Sequence, residues 1–297
     1  MPAATRRTRV VVFGSASWNT MVRVERFPKP EPATIFPNGW QESVGSSGAG
    51  TAMNLARLGV EVTLYCLLGD DEAGSRVRSG LEAAGVTVDA IPDATGTARH
   101  INLMDAAGDR LSFMLHTGDG ATRFEPAHVE ELVESADHVL AAIVDQARHV
   151  IPIARRLGRP IWTDLHATDG ERAYERDFLE ADAVFFSAER LADPRPFMER
   201  LVAAGRSLVV CTRGAAGALA LTADRRWLDV PVEAVESVVD TNGAGDAFLA
   251  GVVYGELHQL PIERSLRIGA RVAALSVGSA ELASPDLSPA SVADLLG

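Results

Sequence analysis

An α/β fold, with a mostly parallel sheet covered by helices, is predicted on three observations. Short apolar runs rich in β-branched residues alternate with longer stretches of helical periodicity, a glycine-rich turn opens an apolar helix near residue 243, and no long polar tract interrupts the chain. With 297 residues, of which 47% are hydrophobic and 23% charged, the chain can bury a sizeable core. Strands joined through helices pair in parallel, so the alternation implies a sheet with helices on its faces.

Taken in order, strands are expected at residues 10–14, 61–67, 138–142, 160–164, 183–186 and 208–212. Helices are expected at 49–58, 74–84, 126–135, 150–157 and 196–204. Two regions break the alternation. Residues 22–44 are rich in proline and aromatics, including Phe36 and Trp40, and residues 97–115 read as a hairpin around a turn containing Gly108. Together they would form a small sheet over the strand ends, where ligands of open α/β sheets bind. The whole chain, 1–297, is expected to be one domain into which these lid segments are inserted.

Charge and composition exclude several classes. A net charge of −12 leaves no basic surface for nucleic acid. The apolar run after Arg6 and Arg7 is too short for a signal peptide and reads as a first core strand, and no stretch reaches membrane-spanning length. Cys66 and Cys211 lie in apolar runs and read as buried thiols, which fits a reducing, cytoplasmic setting. Neither a Walker A sequence nor a dinucleotide fingerprint after the first strand is present.

The most informative segment runs from Val238 to Gly251. Gly243, Ala244 and Gly245 leave backbone N–H groups open to an anion, and the following helix adds the positive end of its dipole. Asp246 would repel a phosphate there, unless it accepts a proton from the group that attacks the phosphorus. The alternative is an Asp that serves the first turn of a helix after a flexible turn.

The run Asp240-Thr241-Asn242-Gly243-Ala244-Gly245-Asp246-Ala247-Phe248 resembles the C-terminal signature of the ribokinase-like (PfkB) carbohydrate kinase family. The resemblance implies a three-layer α/β/α fold with a small β lid. It also implies ATP-dependent phosphorylation of a hydroxyl on a small sugar or sugar derivative, with Asp246 as catalytic base, residues 243–245 as the anion hole, and ATP and Mg²⁺ as cofactors. Lids of this family often pair subunits, so a homodimer is a further expectation. Asp240 and Thr241 match positions near a monovalent-cation site, for K⁺, or else brace the turn.

The remaining matches are looser. Gly45-Ser46-Ser47-Gly48-Ala49-Gly50 opening a helix resembles the family's first signature, but Ser46 and Gly50 stand where Gly and Asn are usual. Asn54, one helical turn on, either reaches the substrate through the space left at Gly50 or hydrogen-bonds a neighbouring loop. Asn19 takes the place of an Asp that binds sugar hydroxyls, or else caps a loop, and His100 and Arg110 are substrate candidates from the lid. Trp18, Phe36 and Trp40 supply either a stacking wall or interface packing. Thr212-Arg213-Gly214-Ala215-Ala216-Gly217 after a strand resembles the ATP-binding turn, with Arg213 as a charge-neutralising group.

The metal region departs from the pattern. Ser187 and Arg190 stand where the family's Asn-x-x-Glu is expected, leaving Glu189 as a displaced Mg²⁺ candidate or as a helix-start cap. Asp164 and His166 end a central strand and are placed to meet phosphates, Mg²⁺ or substrate, although a loop His without a chemical duty fits equally. Two other readings remain: a nucleoside kinase of the same fold, and a sugar- or nucleotide-binding regulator without catalysis. The intact Gly-Ala-Gly-Asp disfavours the regulator, because a binding module has little use for a carboxylate in an anion hole.

Overall fold

The computed structural model describes residues 8–106, 108–120 and 122–297, so Arg6, Arg7 and Ala107 of the expected hairpin turn lie outside it. Among the described residues a nine-stranded sheet forms the centre. In spatial order its strands are β13 (Trp227–Val230), β12 (Ala218–Thr222), β11 (Leu208–Thr212), β10 (Ala183–Ser187), β9 (Ile161–Ala167), β8 (His138–Ala142), β1 (Arg9–Phe13), β4 (Glu61–Gly69) and β5 (Thr87–Asp93). From β11 to β5 all pairs are parallel, and β12 and β13 close one edge as antiparallel strands.

The two-residue period of the strands sorts the core into two layers. Val10, Val12, Leu64, Cys66, Phe185 and Val210 pack on one face with helices α1 (Ser47–Arg57), α2 (Glu72–Ala83), α6 (Ala244–Leu257) and α7 (Ile262–Val277). Val11, Phe13, Val139, Phe186, Val209 and Cys211 pack on the other with α3 (Pro126–Ser135), α4 (Val150–Arg156) and α5 (Arg195–Ala203). This is a three-layer α/β/α arrangement. Both cysteines are free and buried, and burial pushes each thiol up to about 12, so neither ionises at neutral pH.

A second sheet of order β3-β2-β6-β7 is made by β2 (Ser17–Arg23), β3 (Gly39–Gly45), β6 (Arg99–Met104) and β7 (Arg110–His116). It begins at Ser17, earlier than the expected lid boundary at 22, because the segment after β1 turns directly into a strand with Ser17, Asn19 and Met21 buried in alternation. Elements at the sheet edges were not anticipated. β5 carries Asp89, Pro92 and Asp93 within seven residues, a composition tolerated only because β5 has a single neighbour.

Chain order places the functional end of the main sheet. β1 is followed by β4 and β5 on one side, and the chain then returns to β8 on the other, so the strand order reverses beside β1. A crevice opens there at the carboxyl ends of the strands, as the topology of open α/β sheets dictates.

His138, at the start of β8, is fully buried edge-on to Trp162, with ring centroids 4.7 Å apart, and its Nε2 has no partner. Burial pushes the imidazole down to about 3, so the unfolded chain binds a proton between that value and the ordinary 6.5 while the folded chain does not. The neutral ring therefore contributes stability that is complete above the unfolded value and is lost as pH falls. Urea unfolding of wild type should weaken by about 2 kcal/mol more than that of His138→Phe between pH 7 and pH 5. Equal pH slopes would show that the ring is not held neutral.

Candidate active site

The site is built around the N-terminus of α6. Gly243, at the helix N-cap, has φ of +79°, a left-handed conformation that favours glycine, and no side chain caps the helix; the Ala244 N–H donates to the Thr241 carbonyl at 3.3 Å, and among the described residues the Gly245 N–H has no acceptor. α6 is apolar almost all round, with residues from Asp246 to Gly255 buried. It meets α7 so closely that a Cβ on Gly251 would lie 2.8 Å from the Gly269 Cα. A central, tightly packed helix thus fixes the residues of its first turn.

Asp246 projects from that turn into the crevice. It is only 9% exposed, and among the described residues its carboxylate makes no hydrogen bond or ion pair. α1 passes immediately beside it, and a Cβ on Gly50 would stand 3.0 Å from the Asp246 Oδ2. Burial chiefly raises the carboxyl, to about 7; the His166 charge opposes this, the Asp164 charge adds to it, and the Arg110 charge opposes it. Such a carboxyl is poised between acid and base near neutral pH.

The Gly50 contact decides the reading of Asn54. The space at Gly50 is taken by the Asp246 carboxylate, and Asn54 is fully buried, donating through Nδ2 to the Gly50 carbonyl at 2.8 Å and to the Leu282 carbonyl at 3.2 Å. Asn54 therefore ties α1 to the 280–282 segment and does not reach a substrate through Gly50. Nothing in the sequence around Leu282 marks it as part of the site.

Of the residues expected to meet the acceptor, Asn19 is buried, accepts from the Ser17 Oγ at 2.7 Å and lies over Gly45, where a Cβ would stand 1.9 Å from its Nδ2. Ser46, with φ of +75°, joins the same network through a 2.7 Å contact with the Ser17 Oγ. His100 lies directly opposite Asn19 in the β2–β6 pairing, and burial, with the Arg110 charge, lowers its imidazole below the ordinary value. Arg110, at the start of β7, crosses to bond the Asn242 Oδ1, and the Thr241 hydroxyl donates to the Gly108 carbonyl at 3.2 Å. The hairpin of the small sheet thus sits against the turn that opens α6.

Trp18 packs against the main core with the Arg76 guanidinium over its ring, whereas Phe36 and Trp40 are 86% and 67% exposed. They do not form one wall. Asp240 is buried, and its Oδ1 accepts from the Asn242 N–H at 2.8 Å, so it braces the turn.

The nucleotide-side expectations need one correction. Thr212 ends β11, and Gly214 and Gly217 have φ of +55° and +81° in a tight β11–β12 connection, where a Cβ on Gly217 would stand 2.0 Å from the Val230 carbonyl. Arg213 does not offer a free charge: its Nη2 bonds the Ala216 and Ala218 carbonyls, each at 3.1 Å, and the Asp229 carboxylate. A guanidinium so engaged holds the hairpin together.

The donor sets for a divalent cation also separate. After β10, the Ser187 Oγ accepts from the Glu189 N–H at 3.3 Å, Glu189 is exposed, and Arg190 adds a cation where a ligand is expected. The cap expected of Glu189 is supplied by Ser187, and among the described residues Glu189 belongs to no group of three ligating side chains. At the end of β9, by contrast, ligand atoms of Asp164, His166 and Asp246 all lie within 4.8 Å of one another, and this set fits a divalent cation.

These features coincide with a match to the pfkB family carbohydrate kinase model over residues 7–150 and 179–289, and the chain belongs to that family. It is 35% identical over 273 residues, 90% of this chain and 91% of the other, to the acarbose 7(IV)-phosphotransferase of an Actinoplanes species. It is 29% identical to the ATP-dependent ribose-1-phosphate kinase of Halopiger xanaduensis, covering 91% of this chain and 92% of that one. Among solved structures, a microbiome-derived acarbose kinase superposes with a TM-score of 0.88 at 30% identity, covering 98% and 99% of the two chains. The protein is an ATP-dependent sugar kinase, with sugar and ATP as substrates and Mg²⁺ as the accompanying ion.

Replacing Arg213 with Ala should lower the melting temperature while leaving the KM for ATP within about twofold, since only hairpin contacts are lost. A tenfold rise in that KM would return Arg213 to the nucleotide site.

Proposed function

We propose that the chain transfers the γ-phosphoryl group of ATP to a hydroxyl of an oligosaccharide-sized glycoside, with Asp246 as the general base. The carrying observation is the Asp246 carboxylate: nine-tenths buried, without a hydrogen-bond partner, at the open N-terminus of α6. In this reading Asp246 accepts the proton of the acceptor hydroxyl as that oxygen bonds the γ-phosphorus and the bond to ADP breaks. The backbone N–H groups of Gly243, Ala244 and Gly245 receive the negative oxygens of the transferring group, aided by the helix dipole. A divalent cation bound with ATP would screen the phosphate charge. Arg110, held at the turn by Asn242, contributes a further positive charge from the small sheet.

Asn19, His100, Gly45 and Ser46 are assigned to the acceptor. Asn19 and His100 share one face of β2 and β6, and Gly45 leaves the Asn19 amide room to turn toward a hydroxyl. Thr212, Gly214 and Gly217 are assigned to the nucleotide turn. The acceptor class is supported by two relatives whose names specify acarbose and which match this chain nearly end to end. K⁺ is assigned to the pocket lined by Asp240, Asn242, Ala280 and Leu282, where it would firm the anion-binding turn.

The same proposal includes a homodimer. The register sets Trp40 opposite Val22, Val22 opposite Leu103, Leu103 opposite Leu111 and Ile101 opposite Phe113. These residues share the face of the small sheet opposite the one that carries Asn19 and His100. Leu111, Phe113 and Trp40 are 43%, 49% and 67% exposed, an apolar face for which a second copy is the proposed cover.

Asp246→Asn should keep ATP binding within about threefold while lowering turnover on the accepted sugar by roughly 10²–10⁴. In an ATP-consumption assay, acarbose and malto-oligosaccharides should be accepted well above ribose, fructose and adenosine; turnover confined to a monosaccharide or nucleoside would sink the acceptor assignment. Phe113→Lys should convert a dimer to a monomer in light scattering, and an unchanged mass would remove the face as an interface.

A further inference from the structure

The end of β9 is irregular in a way the parallel sheet does not require. Phe185 of β10 pairs with Asp164 and Ser187 pairs with Ala167, so one residue of β10 spans two of β9, Leu165 and His166. This is a β-bulge, which re-aims the side chain it carries. His166 holds φ of +55°, a conformation costly for a side chain with a Cβ, and its N–H donates to the Asp164 Oδ1 at 2.8 Å. The imidazole Nδ1 stands 4.0 Å from the free Asp164 Oδ2, and the Asp164 side chain is 12% exposed. Asp246, buried and without a hydrogen-bond partner, points into the same crevice.

We propose that Asp164 and His166 are the protein ligands of the divalent cation, replacing the residues after β10. The inference rests on the kinase reading for its purpose but on these residues for its chemistry. Three features carry it. Among the described residues Glu189 joins no cluster of ligating side chains; Asp164 offers an uncommitted carboxylate oxygen within reach of an ion that also meets His166; and the unpartnered Asp246 carboxylate supplies the negative environment that favours a cation there. Asp246 remains the proton acceptor beside the ion.

An imidazole nitrogen in the ligand set has a consequence that an all-oxygen set does not. Mg²⁺ prefers oxygen, whereas Mn²⁺ and Co²⁺ accept imidazole readily, so this site should favour Mn²⁺ over Mg²⁺ through His166. His166→Asn, which restores an oxygen donor of similar reach, should lower the Mn²⁺-to-Mg²⁺ preference while the fold is retained.

The test is binding of Mn²⁺ alone to the whole chain, without nucleotide or acceptor, read by electron paramagnetic resonance. Wild type should show nitrogen-14 coupling from a bonded imidazole in the spin-echo modulation, absent in His166→Asn and His166→Ala. Mn²⁺ affinity should fall by about tenfold or more in Asp164→Asn and His166→Ala and stay unchanged in Glu189→Gln, with circular dichroism confirming that each variant is folded. Absence of nitrogen coupling in wild type, unchanged affinity in His166→Ala, or loss of affinity in Glu189→Gln would each overturn the assignment. A chain that binds Mn²⁺ through His166 yet phosphorylates no acceptor would refute the oligosaccharide reading and leave the metal assignment standing.

Discussion

The close approach of α1 to the first turn of α6 is the contact on which the site depends. Gly50 has no Cβ, and one there would stand 3.0 Å from the Asp246 Oδ2. The carboxylate thereby occupies a slot between two helices, out of bulk water and without a donor to satisfy it. Stripping a carboxylate of its solvation raises its affinity for a proton, and here burial is the largest influence on Asp246. The group that makes the site chemically useful is thus an expense to the fold, offset by the packing of α6 against α7 and α1. Gly251 against Gly269 and Asn54 bonded to the Gly50 and Leu282 carbonyls hold those helices at the required distance.

Around that fixed point the two sheets divide the labour. The main sheet supplies rigid ends, with Asp164 and His166 at the bulged terminus of β9 and the apolar layers of both faces locking the strands. The small sheet carries Asn19 and His100 side by side and reaches the α6 turn through Arg110 and Gly108. Contact between the β6–β7 hairpin and the turn before α6 ties the small sheet to the first turn that carries Asp246.

Much of this was legible in the sequence, for identifiable reasons. The run from Asp240 to Phe248 encodes its local structure, because a turn, a helix start and the carboxylate between them are set by adjacent residues. The parallel strands were legible as apolar runs because both faces of the sheet are covered. Long-range facts were not. Asn54 satisfies the helical spacing that would bring it to Gly50, but only the fold shows that Asp246 already fills that space. Arg213 sits in a loop where a phosphate ligand is expected, and its engagement by Asp229 depends on β13, a four-residue edge strand with little signal of its own. The bulge that turns His166 into the crevice arises from pairing between β9 and β10 and leaves no mark in either strand alone.

The most direct test of the account is a crystal structure of the chain with a non-hydrolysable ATP analogue and an accepted glycoside. An acceptor hydroxyl is expected about 3 Å from the Asp246 carboxylate, with the γ-phosphate over the N–H groups of Gly243, Ala244 and Gly245. An acceptor hydroxyl held by another base, with Asp246 still enclosed and more than about 5 Å away, would contradict it.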